Sequence, residues 1–563
     1  MLIFMMNITK HSKHYFITLV SVILLIINVY AVKAFTVFGS PLLFLTALIA
    51  EIILFIILIF SLFRLLSTPE TIFGSLLRSI LYGLATNTYI KKLLQSKSAT
   101  ICWVKKRFEY NNPYGLTLTV TTLISLFFLF NFLNILLNVV TNGSLTHIDL
   151  RILNVIPSLR TPLQTSFFRY ITILANSETI ILMILIVAVI LWRKQQKLLA
   201  GFVILVTLIQ EAITFVFKHI AHRLRPELAL RLIKENSYSF PSGHAVRATV
   251  LFGLVSYFIY KSYTGTKARV ATVTSYILIV FLIAISRVYL GVHYPSDVWG
   301  GILLGSTLLI AFVGVLEICS YYAVVQKKKI VISNRSIIII PLILVVFSGI
   351  ATPFLIRIKP VLATPSFITI QSLDPMTIQK LPVYSETLTG GRMEPINFIY
   401  VGYEDQIRKI FDAHNWYTAD HSTVANTLKA LAVGFQGRLY LTAPVTPSYL
   451  NFKPENIAFE QSTETHSLKQ RHHTRIWRTD YALPDGRPVW VATASFDEGI
   501  EFAGTAKLPT HRINPNIDAE RTYITNSLEV QSNLLDVVPP QIGKNASGDG
   551  FFTDGKAEFI NLK

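Results

Sequence analysis

The feature that most constrains this chain is its set of long apolar runs. Nine stretches, near residues 15–33, 41–63, 118–140, 178–192, 199–217, 245–260, 270–286, 298–323 and 336–355, are dominated by Leu, Ile, Val and Phe. A segment surrounded by hydrocarbon must satisfy its backbone polar groups internally, which a helix does, and about 20 residues cross a bilayer. The composition agrees. Of 563 residues, 52% are hydrophobic and only 15% charged, with a mean hydropathy of +0.51; a soluble domain carries roughly a quarter charged residues. The expected fold is a polytopic α-helical membrane protein of about nine spans, followed by a soluble α+β domain.

The formal charge of +19 is unevenly spread. Residues 1–359 hold 33 Lys and Arg against 10 Asp and Glu, a balance of +23. Residues 360–563 hold 18 against 22, a balance of −4. The basic excess lies in the membrane part, which points to cytoplasmic anchoring and away from nucleic-acid binding. The two cysteines, Cys102 and Cys319, also lie there, so no disulfide is expected in the soluble part.

Lys and Arg assign the sides. Clusters at 91–107, 193–197, 261–269 and 327–329 follow the second, fourth, sixth and eighth spans. They share one side, expected to be the cytoplasm, together with the N-terminus. The first span follows KHSKH and reads as a signal anchor; VKA at 32–34 is a passable cleavage site. The loops 218–244 and 287–297 and everything after about 356 then face the opposite side. Arg151, Arg160 and Arg169 are exceptions to the charge rule in the outer loop 141–177.

Three polar pieces open on that outer side: KHIAHRLRP (218–226), PSGH (241–244) and SRVYLGVHYPSD (286–297). Their inventory suits a phosphate ester. Lys218, Arg225 and Arg287 can hold nonbridging oxygens. Ser242 and Gly243 fall where a helix begins, and free backbone N–H groups there favour an anion. One neutral histidine can attack phosphorus, a second can protonate the leaving alkoxide, and a carboxylate can orient the nucleophile. Taken singly, a cation at a helix end usually snorkels to headgroups. The conjunction of three pieces on one side carries the reading.

These pieces resemble the three-part signature of the type 2 phosphatidic acid phosphatase (PAP2) superfamily, over roughly residues 100–325. The resemblance implies a metal-independent phosphatase with a six-span helical core and no cofactor. His293 would form a phosphohistidine, Asp297 would be its partner, and His244 would release the alcohol. Lys218, Arg225, Ser242, Gly243 and Arg287 would bind phosphate. His219 and His222 match no catalytic position. The superfamily also holds soluble vanadate-dependent haloperoxidases, which membrane embedding argues against. Glu51 and Glu211 sit within apolar runs, where a carboxylate is costly and invites a functional or a bundle-polar reading.

Beyond the last run, INFIYVGY (396–403), RIWRTDY (475–481) and PVWVATASF (488–496) read as strands, from their β-branched and aromatic content. EDQIRKIFDAH (404–414), TVANTLKAL (423–431) and DAERTYITNSLEV (518–530) read as helices. RHHTRIW, VWVATASFD, THRINPNIDAERT and the Gly-rich GKNASGDGFFTDGK resemble the LssY C-terminal domain type, which carries no settled biochemical role. His472, His473, His511 and Asp518, with Asp497 and Glu520, are candidates for a second site, though their spacing matches no metal motif. Binding of a headgroup, glycan or partner protein is the preferred reading of this domain.

The expected boundaries are 1–98 for a two-span segment with a basic linker, 99–325 for the six-span core, 326–384 for the last span and exit linker, and 385–563 for the soluble domain. The function expected is a phosphatase of a bacterial inner membrane, with its site and soluble domain in the periplasm. It would act on a phosphorylated lipid such as polyprenyl diphosphate, phosphatidic acid, phosphatidylglycerol phosphate or lipid A. The alternatives are a phosphotransferase using the same site and a non-enzymatic scaffold or export accessory.

Overall fold

The computed structural model describes residues 98–321 and 367–562, apart from 110–112, 264, 388–389, 421–425, 427–428, 431, 434–438, 464–469 and 504–507, with isolated residues between 20 and 92. The expected spans at 15–33, 41–63 and 336–355, the residue Glu51 and most of the helix expected at 423–431 lie outside the described residues. The chain divides into two compact units, one of helices and one built on sheets.

The helical unit contains α1 (Leu118–Val140), α2 (Ser144–Val155), α3 (Pro162–Ile173), α4 (Ser177–Arg193) and α5 (Lys197–Ala221). A further helical run starts as α6 (Gly243–Arg247), passes a wider turn at Ala248–Phe252 and continues as α7 (Gly253–Ser262). Then come α8 (Thr266–Tyr289) and α9 (Pro295–Tyr321). Among the described residues, four helices are long and apolar enough to cross a membrane, and the bent pair α3–α4 would make a fifth. The α6–α7 run covers the span expected at 245–260, interrupted by its wider turn.

Many large side chains on these helices face outward, Phe127, Phe130, Leu185, Leu208 and Phe215 among them, as expected of a lipid-facing surface. The inward faces meet around Phe132, Val203, Val250, Leu254 and Leu304. The sequence WGG after Asp297 is what allows α9 to lie against the turn that opens α6. A Cβ at Gly301 would stand 2.7 Å from the Ser242 carbonyl oxygen, and one at Gly300 would stand 2.5 Å from the Phe240 ring. Only glycine permits that approach.

Arg160, one of the exceptions to the charge rule, has a structural task. Its Nη2 donates to the carbonyls of Leu230 (2.7 Å) and Tyr289 (3.0 Å), tying two loops together.

The second unit holds one large sheet in the order β12-β15-β4-β10-β9-β8-β5, with β1 on β9 and β11 on β10. Its strands are β1 (Ile368–Thr369), β4 (Phe398–Val401), β5 (Tyr417–Thr418), β8 (Ile457–Ser462), β9 (Arg471–Ala482), β10 (Pro488–Ala503), β11 (Leu508–Ile513), β12 (Asn533–Asp536) and β15 (Lys556–Asn561). β4 with β15 and β1 with β9 are parallel; the other pairs are antiparallel. A four-stranded sheet runs β3-β2-β6-β7, from Arg392–Pro395, Tyr384–Glu386, Tyr449–Leu450 and Lys453–Pro454. A hairpin joins β13 (Gln541–Lys544) to β14 (Gly550–Thr553).

Strand alternation splits the large sheet into two faces. One face packs Phe398, Tyr400, Trp490 and Phe459 against α10 (Glu404–Ala413) and α11 (Ile517–Ser527) through Ile407, Phe411 and Ile524. The other buries Ile399, Val491 and Trp477 with Leu381, Ile396 and Leu450. The three strands read from sequence and the helices at 404–414 and 518–530 are present. Ile368–Thr369 already pairs with β9, inside the segment expected to be linker.

Candidate active site

α5 ends where His222 adopts a left-handed conformation (φ 44°), a common helix stop. The chain then crosses from Arg223 to Phe240 and enters α6. That crossing and the α8–α9 turn place the three motifs side by side.

His293 is the centre of the cluster and is 1% exposed. Its Nε2 lies 3.2 Å from Arg225 Nη1, and its Nδ1 lies 3.4 Å from Asp297 Oδ2. The Ser239 hydroxyl also stands 3.4 Å from Nδ1 and donates to the same Asp297 oxygen. One ring nitrogen therefore faces a cation and the other a carboxylate, so Nδ1 is the nitrogen that keeps a proton. Burial, followed by the nearby Arg225, Arg287 and Lys218, holds His293 well below the ordinary imidazole range. Its neutral, nucleophilic form is the favoured one.

The cations gather on the Nε2 side. Arg225 Nη1 also donates to Val292 O at 2.8 Å, and its Nε donates to Ser237 O at 2.6 Å. Burial brings Arg225 down to about 10. Lys218 Nζ donates to Ser237 Oγ at 3.1 Å and to the Tyr238 carbonyl. Arg287 is 1% exposed and donates to Thr172 Oγ1 at 2.7 Å. Ser242 stands at the N-terminus of α6, its N–H donates to Asp297 O at 2.9 Å, and its buried hydroxyl has no partner among the described residues. A buried hydroxyl without a partner costs free energy, and an anion at this helix N-terminus would satisfy it. His244, the next residue but one, sits 2.7 Å from Asn176 Oδ1 through Nε2.

Sequence reasoning missed four residues here. Glu235 bridges the cations, pairing with Arg287 and lying 3.6 Å from Arg225 Nη2. Its only signal was an acid, one of two with Glu227, in the segment between two motifs. Arg223, inside KHIAHRLRP, donates from Nη1 to Asp297 Oδ1 at 2.7 Å and from Nη2 to Asp149 Oδ2 at 2.8 Å. Asp149 also accepts from the Ser296 N–H at 2.9 Å. Asp297 is thus clamped by Arg223, Ser239 and the Tyr294 N–H (2.9 Å). Asp149, on α2, and Asn176, between α3 and α4, are far away in sequence, where no motif marks them. Glu211 forms a bidentate pair with Arg247 (2.5 and 2.9 Å), and His219 Nδ1 donates to Phe215 O, away from His293.

In the sheet unit the candidate residues do not gather into one site: His472 meets Glu520 and His473 meets Asp497. His472 and His473 are neighbours on β9 and point to opposite faces. His472 pairs with Glu520 (2.8 Å) and stacks on Tyr523 at 3.9 Å on the helix side. His473 faces the other side, toward Ser495 and Asp497. Asp518 accepts from Thr553 Oγ1 and the Asp554 N–H, which caps the β14–β15 turn. His511 lies on β11 opposite Ile500. Among the described residues, no group of three or more His, Cys, Asp or Glu is arranged to hold a metal.

Comparison with known proteins matches both units. Residues 199–320 match the PAP2 superfamily, and residues 378–557 match the LssY C-terminus. Phosphatidylglycerophosphatase B of Bacillus subtilis is 39% identical over 95 residues, 16% of this chain and 46% of that protein. Decaprenylphosphoryl-5-phosphoribose phosphatase of Mycobacterium tuberculosis is 33% identical over 119 residues, 21% of this chain and 59% of that one. The chain thus spans about half the length of the curated relatives it matches. The crystal structure of a transmembrane PAP2-type phosphatidylglycerolphosphate phosphatase from Bacillus subtilis aligns at 28% identity, covering 34% of this chain and 96% of that one with a TM-score of 0.33. The three signature pieces gathered around one buried histidine lie within the stretch that matches the PAP2 superfamily, and the sheet unit holds the stretch that matches the LssY C-terminus.

Proposed function

We propose that the chain is an integral membrane lipid phosphatase that works through a phosphohistidine at His293. The observation that carries this is the two-sided environment of that imidazole, with Arg225 at Nε2 and Asp297 at Nδ1. Phosphate would lie on Arg225, Arg287, Lys218, the Ser242 hydroxyl and the α6 N-terminus, displacing the Glu235 carboxylate. His293 Nε2 attacks phosphorus as the P–O bond to the lipid alcohol breaks. Charge on the transferring phosphoryl group is met by the guanidinium groups. Asp297 stabilises the imidazolium that develops at Nδ1.

His244 gives its proton to the departing alkoxide and then takes one from the water that releases phosphate. A bound phosphate dianion favours the charged form of His244 at the moment it must act as an acid. Asn176 aims its ring. No step needs a metal ion.

The substrate class we propose is a phosphate monoester or diphosphate on a lipid. The relatives named for phosphatidylglycerophosphate and decaprenylphosphoryl-phosphoribose support that class. The charge pattern supports a site on the outer face of a bacterial inner membrane, with the LssY C-terminus on the same side. The same phosphohistidine would serve a phosphotransferase, which a phosphorylated acceptor would reveal.

Phosphate release by the detergent-solubilised full chain without added metal tests the reading. The substrates are polyprenyl diphosphate, phosphatidic acid, phosphatidylglycerol phosphate and lipid A, each run beside His293→Ala. We expect release on at least one lipid and a loss of about 10³-fold or more in the variant. Folded wild-type protein that releases nothing from any of them overturns it. Because His293 is held neutral, activity should persist below pH 6.5 and not fall through that value.

A further inference from the structure

The face of the large sheet turned away from α10 and α11 changes character along its strands. Near Val489, Val491 and Trp477 it is apolar. Two residues further along the same strands, on the same face, it becomes polar. β10 continues with Thr493, Ser495 and Asp497, while β9 carries Arg475, His473 and Arg471. Ser495, His473 and Asp497 are each 2% exposed. Buried polar side chains cost stability unless they are paired. A sheet that needed only packing would have kept valine there.

The register decides how these groups meet. Ser495 is opposite His473, and Asp497 is opposite Arg471. Ser495 Oγ stands 3.0 Å from His473 Nε2. Asp497 Oδ1 stands 3.5 Å from His473 Nδ1. With the carboxylate at Nδ1, the imidazole keeps its proton there, and Nε2 accepts from the Ser495 hydroxyl. The other Asp497 oxygen receives Arg471 Nε at 3.2 Å, and Arg471 in turn pairs with Glu460. Asp497 is thereby held in place. Nucleophile, base and orienting carboxylate stand in the order that nucleophilic catalysis uses. A His–Asp separation somewhat beyond hydrogen-bond length is common in free enzymes and tightens with substrate bound.

The three residues line a pocket of about 60 Å³. Glu386, Thr387 and Ser547 also line it. The turn of the β13–β14 hairpin closes one side, where Asn545 donates to Glu394 at 2.7 Å. Arg475, on the same face, lines the wall with its Nε committed to Thr446 O. The volume admits only a few heavy atoms, and the lining is mostly polar and charged.

We propose that Ser495, His473 and Asp497 form a second catalytic centre, of serine-hydrolase type, for a short-chain carboxylic ester of a polar, hydroxyl-bearing alcohol. Ser495 Oγ bonds to the carbonyl carbon while its proton passes to His473 Nε2. The carbonyl oxygen gains negative charge and is met by the Arg475 guanidinium. The bond from carbon to the alcohol oxygen breaks, and the alcohol leaves with the proton from His473. Water, deprotonated by His473, then attacks the acyl–Ser495 ester and releases the acid. Nothing in this sequence of steps involves His293.

The test uses the full chain in detergent, a fluorophosphonate probe with peptide mapping by mass spectrometry, and p-nitrophenyl acetate turnover. We expect a probe adduct on Ser495 in the wild type, none in Ser495→Ala, and labelling at least 100-fold slower in His473→Ala. Ester turnover should fall at least 100-fold in Ser495→Ala, with its circular-dichroism melt retained. Folded wild-type protein that acquires no adduct on Ser495 overturns the proposal, whatever the variants do. So does ester turnover that is unchanged in Ser495→Ala.

Discussion

The helical unit and the sheet unit each bury a histidine between a carboxylate and a further polar group, but they build that arrangement in opposite ways. In the helical unit, helix ends and loops converge, and cations outnumber acids around His293. Lys218, Arg225, Arg287 and Arg223 face Glu235, Asp297 and Asp149. In the sheet unit, two adjacent strands place His473, Ser495 and Asp497 by register alone, and Arg471 is shared between Glu460 and Asp497. The first arrangement keeps an excess of cations, as the proposed phosphate site requires. The second is closer to internal neutrality, with its groups paired to one another. A phosphate-binding centre must keep uncompensated positive charge, whereas a serine nucleophile needs only a base and a fixed carboxylate.

The sharpest way to break this contrast is to remove a cation that is structural and not for phosphate. Arg223→Gln leaves Asp149 and Asp297 buried without their shared partner. Breaking a buried ion pair by removing one side costs roughly 3–5 kcal/mol. Thermal unfolding of the helical unit in detergent should show that loss, together with collapse of phosphate release. A melt unchanged from wild type would mean that Arg223 does not hold Asp297.

A smaller effect is expected in the sheet unit. Burial raises Glu460 from its ordinary 4.5 to about 7, against the opposing pull of Arg471. A carboxyl raised in the folded state contributes stability that is full below 4.5 and is lost as pH rises through about 7. Over that window the loss is roughly 3 kcal/mol, from a little over 1 kcal/mol per pH unit. Glu460→Gln cannot titrate, so its melting midpoint should change less between pH 5 and 7.5 than the wild type's. Equal slopes for the two proteins would refute the assignment.

The smallest change concerns Glu235. Its carboxylate occupies Arg287 and Arg225, the groups proposed to hold phosphate. Glu235→Gln should tighten inhibition by inorganic phosphate about tenfold, equivalent to about 1.4 kcal/mol. Inhibition that weakens instead would show that Glu235 helps to hold the ligand.

Much of the helical site was legible because its chemistry is carried by short, local patterns. PSGH and the five-residue interval between Arg287 and His293 survive intact from sequence to structure. Glu235, Asn176 and Asp149 were not legible, because each reaches the site from a segment outside the motifs that nothing but packing brings there. The sheet unit shows the reverse. Its strands at 396–403, 475–481 and 488–496 were readable from β-branched and aromatic content. Yet adjacent His472 and His473 invite grouping by eye, and the strand sends them to opposite faces. Ser495 offers no signal until β10 is set against β9.

The sequence by itself determined that the chain is a greasy helical bundle joined to a sheet-forming segment, since hydropathy and strand alternation are properties of neighbouring residues. It also determined the motif residues Lys218, Arg225, Arg287 and Asp297 that gather around His293. Tertiary structure alone decided which carboxylate clamps which cation, and which serine meets His473. Those are contacts between residues 10 to 74 positions apart in the helical unit and across strand register in the sheet. Their energies depend on burial and distance, which no local pattern encodes.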